Sequence, residues 1–228
     1  MNDLTIIYYT ANLAPEVFIK NTNRELLKAV GDTQIISVSH KPMNLGKNIC
    51  VGEIGQSVLN IYKQVLIGAK EAKTKYVAMA EDDTLYPPDH FEFRPIDESK
   101  FYYNDNRWSI YTWSDPPIFS NKHRMTMNVI ICTRDLLVSA LEERYAKYPK
   151  DEDIPIKYWA EPGRYERGLG VTIQEGVRFS SNNPVIMFTH PQCLNFDSQG
   201  LGKKVGATPT PELPYWGKAE DIVKFYEI

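Results

Sequence analysis

Residues 76–88, Tyr-Val-Ala-Met-Ala-Glu-Asp-Asp-Thr-Leu-Tyr-Pro-Pro, constrain the fold more than any other stretch of the chain. Tyr76 to Ala80 form an apolar run of the length of a buried strand. Glu81, Asp82 and Asp83 follow without a break, ahead of the turn-forming Pro87 and Pro88. In an open α/β sheet, ligands collect outside the carboxyl ends of the strands. Three adjacent acids there repel one another unless a cation or a set of donors neutralises them. An oxygen-rich acidic cluster suits Mg²⁺ or Mn²⁺ holding a diphosphate. Alone, such a triplet is more often a solvated acidic turn, so its company along the chain decides its meaning.

The preceding residues alternate strands and helices. The β-branched and aromatic run 4–9 reads as a strand with Thr10 and Ala11 at its carboxyl end. A helix is expected over 15–30, with Val17, Phe18, Leu26, Leu27 and Val30 on one face and Gly31 as its stop. Residues 34–38 form a second strand, and a loop with Gly46, Gly52 and Gly55 follows. The spacing of Val58, Ile61, Tyr62, Val65, Leu66, Ala69 and Ala72 predicts a helix over 56–72. On it, Ser57, Asn60, Gln64 and Gly68 make a second stripe, polar or small, of the kind that is either a solvated face or a ligand face. This order predicts parallel strands joined by right-handed crossovers.

Beyond the acids the pattern changes. Residues 101–103 and 107–113 read as sheet segments with a turn at 104–106, 129–133 as a strand, and 135–148 as an amphipathic helix. A last strand over 185–188 delivers Thr189 and His190. Residues 198–214 read as a mobile loop and 215–226 as a short helix. No repeat and no domain boundary is visible.

Cys50, Cys132 and Cys193 are too far apart for a disulfide framework or a CxxC zinc pattern, which fits a reducing cytosol. The first residues lack a basic n-region, and no apolar stretch approaches ~18 residues, so neither a signal peptide nor a membrane span is expected. The net charge of −3 is built from interspersed acids and bases. No extended basic run argues for nucleic acid as an electrostatic partner, which leaves only a local patch for such a role. There is no GxxxxGK[ST], GxGxxG or GxSxG, and His40, His90 and His123 are scattered without metal spacing.

With these elements in order, and with LIGAKEAKTKYVAMAEDD as a helix–strand–acid run, the chain resembles a GT-A-fold glycosyltransferase of the family 2 type. The resemblance covers residues 4–86, with EDD as a variant of the DXD motif. It implies an α/β fold: a mostly parallel, Rossmann-like sheet flanked by helices, with a mixed acceptor-side half. It also implies one domain over 1–228, divided into a nucleotide-binding half at 1–86, an acceptor-side half at 87–197 and a mobile loop with a C-terminal helix at 198–228. The implied function is transfer of a sugar from a nucleotide-diphosphate sugar, most often a UDP-sugar, to a hydroxyl of a saccharide, a protein or a modified nucleobase, in the cytoplasm.

Under that resemblance Asp83 is the metal ligand, and Glu81 and Asp82 face the sugar, the ribose or a metal-bound water. His190 is the candidate second ligand, tilting the choice towards Mn²⁺, and is otherwise a hydrogen-bonded loop histidine. Thr10, Ala11, Lys47, Ser57, Asn60 and Gln64 fall to the nucleotide sugar. So do Lys203 and Lys204, on a segment whose glycines at 200, 202 and 206 suit a lid. Glu161 and Asp115 compete as the base that deprotonates the acceptor hydroxyl. Trp113 and Trp159 are stacking walls for the acceptor or, more ordinarily, core. Two alternatives share the α/β half. A nucleotidyltransferase making nucleotide sugars should carry a Gly-rich, basic signature after the first strand, where this chain has TANLAPEVF. The other is a non-catalytic module that binds nucleotide sugars.

Overall fold

The computed structural model describes residues 3–121, 123–155, 161–194 and 208–226. Its first part runs β1 (Leu4–Thr10), α1 (Glu16–Val30), β2 (Gln34–Ser39), β3 (Lys47–Cys50), α2 (Val58–Glu71) and β4 (Tyr76–Glu81). β1 pairs in parallel with β2 on one side and β4 on the other, and β3 continues the parallel set beyond β2. Every residue of β1 is buried. Ile6 and Tyr8 pack with Leu26 and Val30 of α1, while Ile7 and Tyr9 pack with Leu59 and Val65 of α2. A strand covered on both faces needs a continuous apolar run, which 4–9 supplies.

The chain continues as β5 (Thr84–Leu85), α3 (Pro88–Glu92), β6 (Lys100–Asn104), β7 (Arg107–Tyr111), β8 (Phe119–Asn121), β9 (Ile130–Thr133) and α4 (Arg134–Lys147). Then come α5 (Glu166–Leu169), β10 (Glu175–Phe179), β11 (Val185–Thr189), β12 (Thr208–Thr210), β13 (Glu212–Leu213), β14 (Gly217–Lys218) and α6 (Ala219–Ile222). The strands form a seven-stranded sheet of order β10-β6-β9-β4-β1-β2-β3, a five-stranded sheet of order β12-β8-β7-β11-β5, and the small β13–β14 pair. The fold is thus mixed α/β, with multi-stranded sheets flanked by helices. In the large sheet only β9 runs against its neighbours β4 and β6. Strands from both sides of the division at 86/87 share that sheet.

Several expectations are corrected. Val17 and Leu27 lie on the exposed side of α1, because its buried stripe is Phe18, Thr22, Leu26 and Val30, repeating every four residues. Residues 104–106 carry the chain from one sheet to the other rather than around a hairpin, with Asn104 Oδ1 accepting from the Asn106 amide at 3.0 Å. Part of the glycine-bearing loop is strand β3. Part of 198–214 is β12 and β13, and the expected helix at 215–226 shortens to α6 behind β14. Residues 198–207 of the proposed lid, with Lys203 and Lys204, lie outside the described residues. Among the described residues no helix is long and apolar enough to cross a membrane.

Candidate active site

The parallel register sets Tyr9 beside Glu81, so Thr10, one residue beyond, reaches the acids that follow β4. Its hydroxyl donates to Asp82 Oδ2, and that hydroxyl also accepts from the Asn12 amide at 2.8 Å. Thr22 of α1 donates to the Asp82 carbonyl at 2.8 Å. The Tyr86 hydroxyl donates to the Asn128 carbonyl at 2.9 Å and receives the Glu81 amide at 3.1 Å. Asp83 is tied to the second sheet, its carbonyl accepting from the Phe188 amide of β11 at 2.8 Å. The Thr84 hydroxyl donates to Asp83 Oδ1 at 2.9 Å, which leaves Oδ2 turned towards the end of β11.

That end supplies His190 and, one turn later, Cys193. The Cys193 amide donates to the His190 carbonyl at 3.0 Å. His190 Nε2 stands 3.9 Å and Cys193 Sγ 3.7 Å from Asp83 Oδ2, so a carboxylate, an imidazole and a thiol converge on one point. His190 is buried, with its ring against Phe18 and Tyr226.

These groups open onto a cavity of about 350 Å³ between the two sheets. Glu81 and Asp82 are held well above the usual carboxylate range, by burial first and by the Asp83 charge second. Facing them from β7 is Arg107, 4% exposed, whose Nη2 donates to Met187 Sδ and whose Nε has no hydrogen-bond partner. Among the described residues it makes no ion pair, and burial lowers its pKa against the pull of Glu81 and Asp83. Arg124 lines the same cavity.

The structure gathers most of the expected residues here. Thr10, Ala11, Ser57, Asn60, Gln64, Glu81, Asp82, Asp83, Glu161 and His190 all line the cavity. Gln64 is buried, its Nε2 donating to the carbonyls of Thr10 and Val38 at 2.9 Å each, so it ties the carboxyl ends of β1 and β2. Ser57 caps α2 by accepting from the Asn60 amide at 3.1 Å, and Asn60 Nδ2 donates to the Gly55 carbonyl at 3.1 Å. Burial raises the Glu161 carboxyl, although Arg164 Nη1 donates to it at 3.0 Å. Its loop is pinned by Glu166, which accepts from the Gly163 amide and from the buried Arg144 of α4 at 2.8 Å.

Other expected residues stand apart. Lys47 is on β3, paired with Glu71 at 2.6 Å and outside the cavity. Asp115 is exposed and Trp113 packs edge-on to Tyr111 at 5.3 Å; neither lines the cavity. Trp159 lies outside the described residues. Arg107 and Cys193 were not singled out from sequence as site residues. The available signals were an arginine beginning an aromatic strand and the spacing His190-Pro-Gln-Cys193.

No protein-family model matches the chain, and no curated protein matches it significantly. Among solved structures, the backbone is similar to a glycosyltransferase involved in the glycosylation of the major capsid of PBCV-1, at 10% identity and a TM-score of 0.43 over 86% of this chain and 96% of that one. It is also similar to the bifunctional IspDF from Campylobacter jejuni, at 9% identity and a TM-score of 0.42 over 90% of this chain. The chain spans 55% of that IspDF. At these values no residue role transfers from either protein.

Proposed function

We propose that the chain is a metal-dependent glycosyltransferase that moves a sugar from a nucleotide-diphosphate sugar, in the simplest case a UDP-sugar, to an acceptor hydroxyl. One observation carries the reading: acids from the carboxyl end of β4 and His190 from the end of β11 converge on one cavity, opposite an unpaired buried arginine. The residues present fit a divalent ion, because Asp83 Oδ2 and His190 Nε2 face one another with no protein cation between them among the described residues. These two are the proposed ligands, and as an oxygen–nitrogen pair they lean towards Mn²⁺ over Mg²⁺. When bound, such an ion stabilises the charge that develops on a departing diphosphate.

The chain's own groups supply the rest. Arg107, with Arg124 nearer solvent, offers the diphosphate a counter-charge inside the cavity. Thr10 and Gln64 fix the rim on which the donor rests. Glu161, with a carboxyl raised by burial, accepts the proton of the acceptor hydroxyl. Nucleotidyl transfer remains the second reading, since acids facing two arginines also suit a triphosphate.

Isothermal titration with UDP-sugars and other nucleotide sugars, with and without Mn²⁺, tests the reading. Binding should require the cation. Folded Asp83→Asn should lose that dependence, weakening binding by about 100-fold or more, roughly the 2.7 kcal/mol that a factor of 100 represents. Wild-type-like binding by Asp83→Asn would overturn the site. Release of pyrophosphate from a nucleoside triphosphate and a sugar phosphate, without consumption of nucleotide sugars, would favour the second reading.

A further inference from the structure

We propose that Cys193 is a third protein ligand in this site, and that the carboxylate–imidazole–thiolate set takes a thiophilic divalent ion of the Zn²⁺ type in preference to Mg²⁺ or Mn²⁺. The inference rests on Asp83 and His190 being ion ligands, as proposed above, and changes which ion they hold.

The geometry is that of a shared ion. The three donor atoms lie within 4.8 Å of one another, and both Nε2 and Sγ approach the same oxygen, Asp83 Oδ2, at 3.9 and 3.7 Å. Ligands at 2.0–2.3 Å from a tetrahedral ion are separated by roughly 3.3–3.8 Å, so little movement is needed to close the set. The imidazole is already turned the right way. Gln192 Oε1 accepts from the Tyr226 hydroxyl at 2.7 Å and stands 3.0 Å from His190 Nδ1. Nδ1 is thus held by Gln192 and Nε2 is the ring nitrogen turned to Asp83, the arrangement that orients a ligating histidine from behind. Asp83 is oriented too, because Thr84 occupies its other oxygen. Cys193 is fixed by the turn 190–193, in which the His190 amide donates to its sulfur at 3.3 Å.

An imidazole nitrogen, a carboxylate oxygen and a thiol sulfur that meet at one point make a mixed nitrogen, oxygen and sulfur donor set. Oxygen ligands alone suit Mg²⁺ and Mn²⁺, whereas sulfur selects Zn²⁺ and its relatives. Three protein ligands leave a fourth position for an exchangeable oxygen, which is how catalytic rather than structural zinc sites are built. Coordination through sulfur exchanges the thiol proton for the ion, so one proton is released to the buffer for each ion bound.

Co²⁺ alone serves as the probe, added to the chelator-treated full chain. The expected result is one ion per chain, with a thiolate-to-cobalt charge-transfer band in the near ultraviolet and displacement by Zn²⁺ but not by equimolar Mg²⁺. Cys193→Ser should lose the band and weaken Zn²⁺ binding by at least 10- to 100-fold, the loss typical even of outer-shell changes. Cys50→Ser, an exposed thiol outside the site, should leave both unchanged. Co²⁺ bound by the wild type without the band, or with the band retained in Cys193→Ser, would overturn the inference. Both results would leave an Asp83–His190 site and the glycosyl-transfer reading standing. No Co²⁺ or Zn²⁺ binding at all by the folded wild type would overturn the ligand set itself. Because the band is read on the wild type, failure of Cys193→Ser to fold does not remove the test.

Discussion

Glu81 concentrates the electrostatic problem of this site. The residue is half-buried, desolvation is the largest pressure against ionisation, and Asp83 and Asp82 add to it; Tyr9 and Arg107 relieve only part of it. The folded pKa is thus raised above the unfolded one. Such a group contributes its full stability below the unfolded value and loses it as pH rises through the folded value. Glu81→Gln keeps the shape without the charge. With chelator present, its melting temperature relative to wild type should climb as pH rises from about 5 to 8.5, across and above the ordinary carboxylate range. A difference independent of pH would sink this account. The acid triplet was legible in sequence because its three members are adjacent and follow an apolar run. Arg107 and Cys193 were not, because each acquires meaning from partners far away in the chain; Cys193 and Asp83 are 110 residues apart.

At the level of elements, α2 shows how a pattern can be right while its purpose stays open. The stripe Ser57, Asn60, Gln64 and Gly68 admitted a solvated face or a ligand face. In the structure Gln64 and Gly68 are buried against the sheet, while Ser57 and Asn60 secure the entry to the helix. Gly68 is there for proximity. A Cβ at that position would meet Ile7 Cγ2 at 2.6 Å and Val38 Cγ2 at 3.4 Å, on two buried strands. Gly68→Ala gains helix propensity but must push α2 off β1, and overpacking of a closed core costs about 1–3 kcal/mol. Chemical denaturation should show a net loss of stability, and a gain would mean that α2 is not seated as described. The long strands β1, β2, β4, β9 and β11 announced themselves by runs of apolar residues. β5 and β12 to β14 have two or three residues each, too few for any periodicity, and β3 is the polar-flanked Lys-Asn-Ile-Cys. Their places are set by pairing with strands already present.

The whole molecule places the site at the seam of its two sheets. Asp83 follows β4 of the seven-stranded sheet, while His190 and Cys193 follow β11 of the five-stranded one. α1 bridges the same seam, with Leu26 and Val30 packed on the first sheet and Phe18 packed with Ile110, Ile186 and Phe188 of the second. A cation bound across this seam binds the native state alone, so it should stabilise both sheets together. At 100 times its dissociation constant the gain is about 2.7 kcal/mol, and for a chain of this size that raises the melting temperature by roughly 5–10 °C. A Trp159→Phe background separates the two sheets, since Trp108 is on β7, Trp113 packs edge-on to Tyr111 of the same strand, and Trp216 packs against the core of the second sheet. Tryptophan fluorescence should therefore follow the five-stranded side, while far-ultraviolet circular dichroism follows the whole chain. Added Zn²⁺ should move both transitions upward by the same amount, and Asp83→Asn should abolish both shifts. A shift confined to fluorescence would place the ion on the His190 side alone and remove Asp83 from its coordination.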